Sequence, residues 1–278
     1  MSSCDSFILK NLAYHLDVKL QQELRSFVSE LVVVAATTAV PYFRTQLAVD
    51  NKARVGFDPV TVADRYTEDA LRTAIVERFP DHGISGEERR AVNPKAQFQW
   101  VLDPIDGTKA FLCGLPTWST LIAFCDCGVP VLGVMSQPVV GEYFIGGFGT
   151  SEQVNAAGRK NLRTSRTSSV DDASVFATSP TMFSSSELHQ FENLARRSRL
   201  TRFGVDSYAY CMLAAGFIDI VAEADLGFYD LAALVPIIEF AGGVITDWNG
   251  APIRGGGTVL AASNSDLHKA ALALIDAA

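Results

Sequence analysis

Nothing in this chain restricts its fold more than the stretch Trp100-Val101-Leu102-Asp103-Pro104-Ile105-Asp106-Gly107-Thr108-Lys109. The apolar run from Phe98 to Leu102 reads as a buried strand, and it stops at two carboxylates three residues apart. Pro104 fixes its own φ and keeps Asp103 out of a helix, while Gly107 permits a tight approach of backbone. A strand that ends this way projects two acids and a hydroxyl into one small volume. Carboxylates crowded there repel one another and are costly to desolvate, so a cation belongs between them. Oxygen ligands with no Cys or His beside them favour a hard ion such as Mg²⁺ over Zn²⁺.

A chain of 278 residues accommodates one large domain or two tightly packed halves, and 48% apolar residues supply a large core. The net charge of −8, with no useful Lys/Arg run, argues against nucleic acid as the main partner. A phosphate substrate would then need bound metal to reverse the local sign. The five cysteines (Cys4, Cys113, Cys125, Cys127 and Cys211) are an odd number without regular spacing, a poor disulfide framework, which points to a reducing cytoplasm. The run Leu31 to Phe43 is too short to span a bilayer, and Asp5 interrupts any signal-peptide pattern; no membrane is expected as a partner.

Leu20, Leu24, Phe27, Val28, Leu31 and Val34 recur at helical spacing, predicting one long helix over residues 15 to 45. Tyr66, Ala70, Ala74, Ile75 and Phe79 mark a second helix after a polar turn at Asp58-Pro59. Short β-rich runs follow, Phe98–Leu102, Ser119–Cys125, Val129–Met135 and Glu142–Gly146, as antiparallel strands joined by Gly/Pro turns. The second half alternates: a strand at Ser174–Ala177, a helix opened by the capping pair Ser184 and Glu187, and a helix from Asp206 to Ala215. Then come a strand at Ile218–Glu223, a helix from Asp230 to Ala241 and strands at Val244–Asp247 and Val259–Ala262, the last two parted by the Asn249-Gly250 turn; a helix over residues 265 to 276 closes the chain. The expected class is α/β: an α+β N-terminal half over residues 1–150 with most of the candidate ligands, and an α/β C-terminal half over residues 151–278. The Gly/Thr/Ser-rich segment Gly146 to Ser169 is the expected boundary.

Other acids stand in suggestive settings. Gly86-Glu87-Glu88 puts two carboxylates after a glycine, Thr61-Val-Ala-Asp64 places one at a helix entry, and Phe228-Tyr-Asp230 opens another helix. Singly, each has an ordinary reading: Asp64 and Asp230 as helix N-caps, Glu87 and Glu88 as an exposed acidic turn.

In order and spacing, however, Asp64 in its Thr-x-Ala-Asp setting, Gly86-Glu87-Glu88, Asp103-Pro-Ile-Asp106-Gly-Thr108 and Asp230 before the helix ending Ala241-Gly242-Gly243 resemble the inositol monophosphatase superfamily over nearly the whole chain. The resemblance implies a layered αβαβα sandwich, a phosphomonoesterase activity, two to three Mg²⁺ ions per active site and a homodimer. It assigns Glu87, Asp103 and the carbonyl of Ile105 to a first ion, and Asp103, Asp106 and Asp230 to a second. A third, weaker ion would lean on Glu87 and on waters near Asp64. Asp64 and Thr108 would orient and deprotonate the attacking water, and the backbone N–H groups of Gly107 and Thr108 would grip the phosphate.

Finer similarities point to the histidinol-phosphatase branch: Lys109-Ala-Phe111 after the metal motif, Gly133-Val-Met-Ser-Gln137-Pro138, Asp206-Ser-Tyr208-Ala-Tyr210, and Tyr229-Asp-Leu-Ala-Ala-Leu-Val-Pro236. Histidinol phosphate carries an amine and an imidazole, so its pocket should offer carboxylates beyond those on metal. Asp206 and Glu223 are placed for that by the resemblance, although an N-cap and a surface acid are their ordinary readings. Phe57-Asp58, Ala110, Cys113 and Phe240 depart from commoner residues without touching a proposed ligand. The alternatives are an inositol-1-monophosphatase or a broader sugar or nucleotide phosphatase. A non-catalytic scaffold would have lost a ligand, whereas Glu87, Asp103, Asp106, Thr108 and Asp230 are all present.

Overall fold

The computed structural model of the chain describes residues 16–52, 57 and 59–277. Cys4 and the Asp58 side of the Asp58-Pro59 turn fall outside them. Helix α1, Val18–Ala39, is prolonged by a 3₁₀ turn, Val40–Tyr42. The regular helix ends before the predicted residue 45 because Pro41 lacks an N–H and crowds the preceding turn. By length and composition Val18–Tyr42 is able to cross a bilayer, contrary to the shorter run read from sequence. In this fold its stripe Leu24, Phe27, Val28, Leu31, Val32 and Ala35 is buried instead, packed against α2, Val62–Arg78.

Helix α2 forms as expected, with Ile75 of the predicted stripe buried and Ala74 and Phe79 packed on the core, but its inner face is centred on other residues. Ala63, Asp64, Thr67, Glu68, Leu71 and Ile75 are buried, while Tyr66 is exposed. Two carboxylates on the inner face survive burial because each finds hydrogen-bond donors there.

Seven strands form the first sheet: β3 Gly83–Gly86, β4 Phe98–Asp106, β5 Ser119–Asp126, β6 Val129–Gln137, β7 Glu142–Gly147, β8 Thr150–Asn155 and β9 Gly158–Asn161, paired in that order. β3 and β4 are parallel, and every later pair is antiparallel. A small ribbon, β1 Val49–Asn51 with β2 Pro59–Thr61, precedes α2. β4 runs past Leu102 to Asp106, with a register irregularity against β5 between Asp103 and Asp106. Pro104 is tolerated inside the strand because it sits in that irregularity, and its carbonyl accepts from Thr120 Oγ1 at 2.8 Å. β8 and β9 carry the first sheet on to Asn161, so the change from one sheet to the other comes after the expected residue 150. Their polar, exposed residues (Thr150, Asn155, Gly158 to Asn161) left no alternating apolar signal.

The second sheet has the order β11 (Leu200–Phe203), β10 (Ser174–Ala177), β12 (Ile220–Leu226), β14 (Gly257–Ala262), β13 (Val244–Thr246). β10 is parallel to both neighbours and β14 antiparallel to both. Helices α5, Tyr208–Ala214, and α7, Leu234–Ala241, lie between the sheets, with α4, Ser185–Arg197, and α8, Ser265–Asp276, outside the second. The layers run α1/α2, sheet, α5/α7, sheet, α4/α8, the expected αβαβα sandwich. All of β5 and β6 is buried because helices cover both faces. The capping box of α4 forms as read: Ser184 Oγ accepts from Glu187 N, and Glu187 Oε2 accepts from Ser184 N. The helix expected over Asp230–Ala241 is two, α6 Phe228–Leu231 and α7, because Pro236 cannot donate back to Ala232.

The sandwich closes on two glycines. A Cβ at Gly133 would lie 2.0 Å from the carbonyl oxygen of Ala233, and one at Gly146 would lie 2.3 Å from Ile237 Cα. α7 therefore rests on the backbone of β6 and β7 with no side chain between. Gly133→Ala is expected to destabilise the protein by about 3 kcal/mol, since backbone must give way. Urea denaturation reads this, and an unchanged midpoint would show that the contact is not tight.

Candidate active site

β4 delivers the first acids. Asp103, buried at the irregularity, accepts from Ile105 N at 3.1 Å, which turns the loop back over its carboxylate. Asp106 accepts from Ser207 N at 2.9 Å and from Ser119 Oγ at 3.4 Å. Ser119 and Ser207 hydroxyls are 2.7 Å apart, so a strand of the first sheet and the loop entering α5 meet over Asp106. Asp230 arrives from the second half at the third position of α6, its Oδ2 accepting from Gly227 N at 2.7 Å. Neither it nor Asp64 is an N-cap. Gly227 and Thr61 hold those positions.

One oxygen from each of Asp103, Asp106 and Asp230 lies within 4.8 Å of the others. Burial, then the neighbouring acids Glu87, Asp106 and Asp230, hold the Asp103 carboxyl well above the usual range. Asp106 is raised too, mainly by burial. Burial and the charge of Asp106 push Asp230 up to about 8. Three oxygen donors that resist ionising together fit a divalent cation, whose charge would restore all three carboxylates. The carbonyl of Ile105, a buried residue between Asp103 and Asp106 in the chain, accepts from Thr108 Oγ1 at 3.0 Å.

Glu87 stands apart from the triad yet adds its charge to Asp103. It is not an exposed turn: its side chain is 14% exposed and that of Glu88 4%. Lys52 Nζ lies 2.5 Å from Glu87 Oε1 and 2.8 Å from Glu88 Oε1. Burial nonetheless pushes Glu87 up to about 7. Sequence reasoning missed Lys52, since a lone lysine beyond a three-residue strand carries no local pattern.

Asp64 completes the capping box of α2, its Oδ2 accepting from Thr61 N at 2.8 Å and Thr61 Oγ1 at 2.6 Å. Its other oxygen, Oδ1, is 3.5 Å from Thr108 Oγ1. Burial raises its carboxyl above the ordinary value. Gly107 adopts φ +77° and caps helix α3, Thr108–Leu112. A Cβ there would also meet Asp206 Oδ2 at 2.9 Å, so only glycine fits under that carboxylate.

Asp206 is not the N-cap of α5. It has φ +45° and follows Val205 at +72°, an uncommon pair of non-glycine residues in the left-handed region. Burial, then Asp106 and Glu223, push its carboxyl up to about 8. Glu223 is buried within β12, not a surface acid; it accepts from Tyr210 OH at 2.6 Å and Thr178 N at 2.5 Å. Asp106, Asp206, Tyr210, Glu223 and Asp230 share the lining of one cavity of about 90 Å³. Sequence reasoning missed Ser119 and gave no role to Ser207 and Tyr210 within the Asp206 to Tyr210 motif, since these roles arise only where the halves meet.

The inositol monophosphatase family model matches residues 20–278. The chain is similar to the histidinol-phosphatase of Mycobacterium tuberculosis, 33% identical over 243 residues that cover 86% of this chain and 92% of that one. A chloroplastic bifunctional phosphatase, IMPL2, of Arabidopsis thaliana is 38% identical over 242 residues, covering 83% of this chain and 68% of its own. Among solved structures, an inositol monophosphatase from Zymomonas mobilis superposes with a TM-score of 0.82 at 37% identity, over 92% of this chain and 98% of that one. The chain belongs to the inositol monophosphatase family, metal-dependent phosphatases that act on small phosphorylated substrates.

The raised carboxyls give the metal-free protein a pH signature. With Glu87 near 7 and Asp230 near 8, the folded state keeps protons that the unfolded chain releases near its ordinary carboxylate values. Folding stability therefore falls as pH rises from about 4 toward 8. Calorimetry of metal-free protein should give a lower Tm at pH 8.5 than at pH 6.5, and Mg²⁺ should raise Tm more at pH 8.5. A Tm that climbs across that window would contradict the crowding of charge.

Proposed function

We propose that this phosphatase, as a member of that family, hydrolyses histidinol phosphate to histidinol and phosphate with Mg²⁺ as its cofactor. The observation that carries the substrate reading is the pair Asp206, half-buried, and Glu223, buried, which line the same cavity as Asp106 and Asp230. A neutral polyol does not need two further carboxylates, whereas an ammonium group beside them relieves their burial. The relatives named histidinol-phosphatase support the same reading. The runner-up, inositol 1-phosphate, is favoured by the name of the Zymomonas mobilis structure.

Phosphate-monoester hydrolysis demands accelerations of up to ~10²¹, which is roughly 28 kcal/mol of barrier. Asp103, Asp106, Asp230, Glu87 and the Ile105 carbonyl would hold two to three ions. When bound, such ions acidify water, neutralise the phosphate and stabilise the departing oxygen. The protein supplies orientation and proton transfer. Thr108 Oγ1 lies 3.0 Å from Ile105 O and 3.5 Å from Asp64 Oδ1. It would take a proton from the attacking water as it passes its own hydroxyl proton from the Ile105 carbonyl to Asp64 Oδ1. The Thr61 contacts fix Asp64 Oδ2, and burial makes its carboxylate the stronger base. The backbone amides of Gly107 and Thr108, at the entry to α3, would grip the phosphate. Asp206 receives the amine while Glu223, held by Tyr210 and Thr178, adds charge from below.

Phosphate release from histidinol phosphate and inositol 1-phosphate, with Mg²⁺ and with chelator, tests this directly. A large kcat/KM preference for histidinol phosphate, lost on chelation, is expected; preference for the polyol overturns the substrate reading and leaves the phosphatase. Asp206→Ala should raise KM for histidinol phosphate more than for a neutral ester, and equal effects on both would remove its role in amine recognition. Asp103→Asn should lower kcat by about 10³ or more while far-UV circular dichroism stays native. Substantial Mg²⁺-dependent turnover in that variant would refute Asp103 as a ligand.

A further inference from the structure

We infer that Glu68 is a positioning residue for metal binding, whose buried carboxylate fixes the backbone of Glu88 and Arg89 and so sets where Glu87 presents its own. This rests on the reading of Glu87 as a metal ligand.

Glu68 lies one helical turn beyond Asp64 on the inner face of α2, and its side chain is 0% exposed. An acid so enclosed is held only where donors replace its water. Glu68 Oε2 accepts from Glu88 N at 2.7 Å, and Oε1 accepts from Arg89 N at 3.1 Å and Arg72 Nε at 2.7 Å. Two of those donors belong to the loop that carries Glu87. Arg72 also reaches the Arg89 carbonyl, 3.2 Å from its guanidinium, and Arg89 pairs with Asp69 on the same helix. On the other side Glu87 N donates to Leu102 O at 3.3 Å, the carbonyl just before Asp103. The Glu87 backbone is thus held between β4 and the Glu68 carboxylate.

Gly86 takes its meaning from the same contact. A Cβ there would lie 2.2 Å from Glu68 Oε1. The glycine before the two glutamates makes room for a third carboxylate rather than for a turn. One face of α2 then serves both ends of the chemistry, Asp64 toward Thr108 and Glu68 toward the Glu87 loop. Removing the charge but keeping the shape, as in Glu68→Gln, sets an amide donor against backbone donors and displaces the loop. Partners that orient metal ligands characteristically change affinity by about 10- to 100-fold.

The test is Mn²⁺ binding to metal-free protein, followed by electron paramagnetic resonance of the free ion, on wild type, Glu68→Gln and Glu87→Gln. Glu68→Gln should bind Mn²⁺ at least about tenfold more weakly, with kcat and KM returning toward wild type at saturating metal. A folded Glu68→Gln protein with lower Tm and wild-type Mn²⁺ affinity overturns the inference, because a merely structural role moves Tm alone. If Glu87→Gln retains wild-type affinity, the ligand assignment fails and the inference falls with it. Weakened Glu87→Gln beside unweakened Glu68→Gln removes the inference alone. Should Glu68→Gln not fold, Arg72→Met decides: it removes one anchor of the carboxylate, and an affinity equal to wild type overturns the proposal while a weaker one supports it.

Discussion

Mutual repulsion among buried carboxylates is the constraint around which this fold is arranged. Asp64, Glu68 and Asp103 are all but sealed from solvent, with Asp106, Asp230, Asp206 and Glu87 close by. Each of the first five receives at least one backbone N–H: Thr61 to Asp64, Glu88 and Arg89 to Glu68, Ile105 to Asp103, Ser207 to Asp106, and Gly227 to Asp230. Those amides come from element ends and an irregular strand, where the regular ladders leave donors over. The breaks in regular structure and the acids are therefore one feature. At Asp64 and Asp230 an amide holds one carboxylate oxygen in place and leaves the other to face the site, whereas at Glu68 both oxygens are held.

The same constraint explains the joint between the two sheets. Asp106 belongs to the first sheet, yet its backbone donor is Ser207 of the second half. Asp230 belongs to the second half and lies within 4.8 Å of acids on the first. Gly133 and Gly146 let α7 lie directly on the first sheet, which places the adjoining α6 and its Asp230 at the end of β4. Packing in the middle layer and geometry at the site are set together.

Local patterns disclosed much of this, and long-range ones did not. The Asp103 to Thr108 motif, the Ser184 capping box and the closing helix Ser265–Asp276 were legible because each is decided within a few residues. The inner face of α2 was misread because apolar spacing assumes that carboxylates face water, and Glu68 has donors from a distant loop. β9 was hidden because an exposed strand lacks an alternating pattern, and β8 because its one buried residue, Ser151, is polar. Asp206 was found by resemblance, but its left-handed backbone and its place against Gly107 depend on a contact across the halves. Lys52 beside Glu87 and Glu88 has the same cause, since ion pairs between remote segments leave no periodic trace.

The far end of the first sheet bears on how the molecule meets its own kind. β9 has four residues, Gly158, Arg159, Lys160 and Asn161, all exposed, and it is the last strand in its sheet. An outermost strand offers unpaired amides and carbonyls to any extended chain that comes near. Here that template is short and carries two cations, Arg159 lying 3.4 Å from Glu152 on the neighbouring strand. A second cationic edge of the same kind would be repelled before it could zip on. The hairpin that lay hidden in the sequence thus ends the sheet in a self-limiting border, which discourages crowded copies from growing into ordered aggregates.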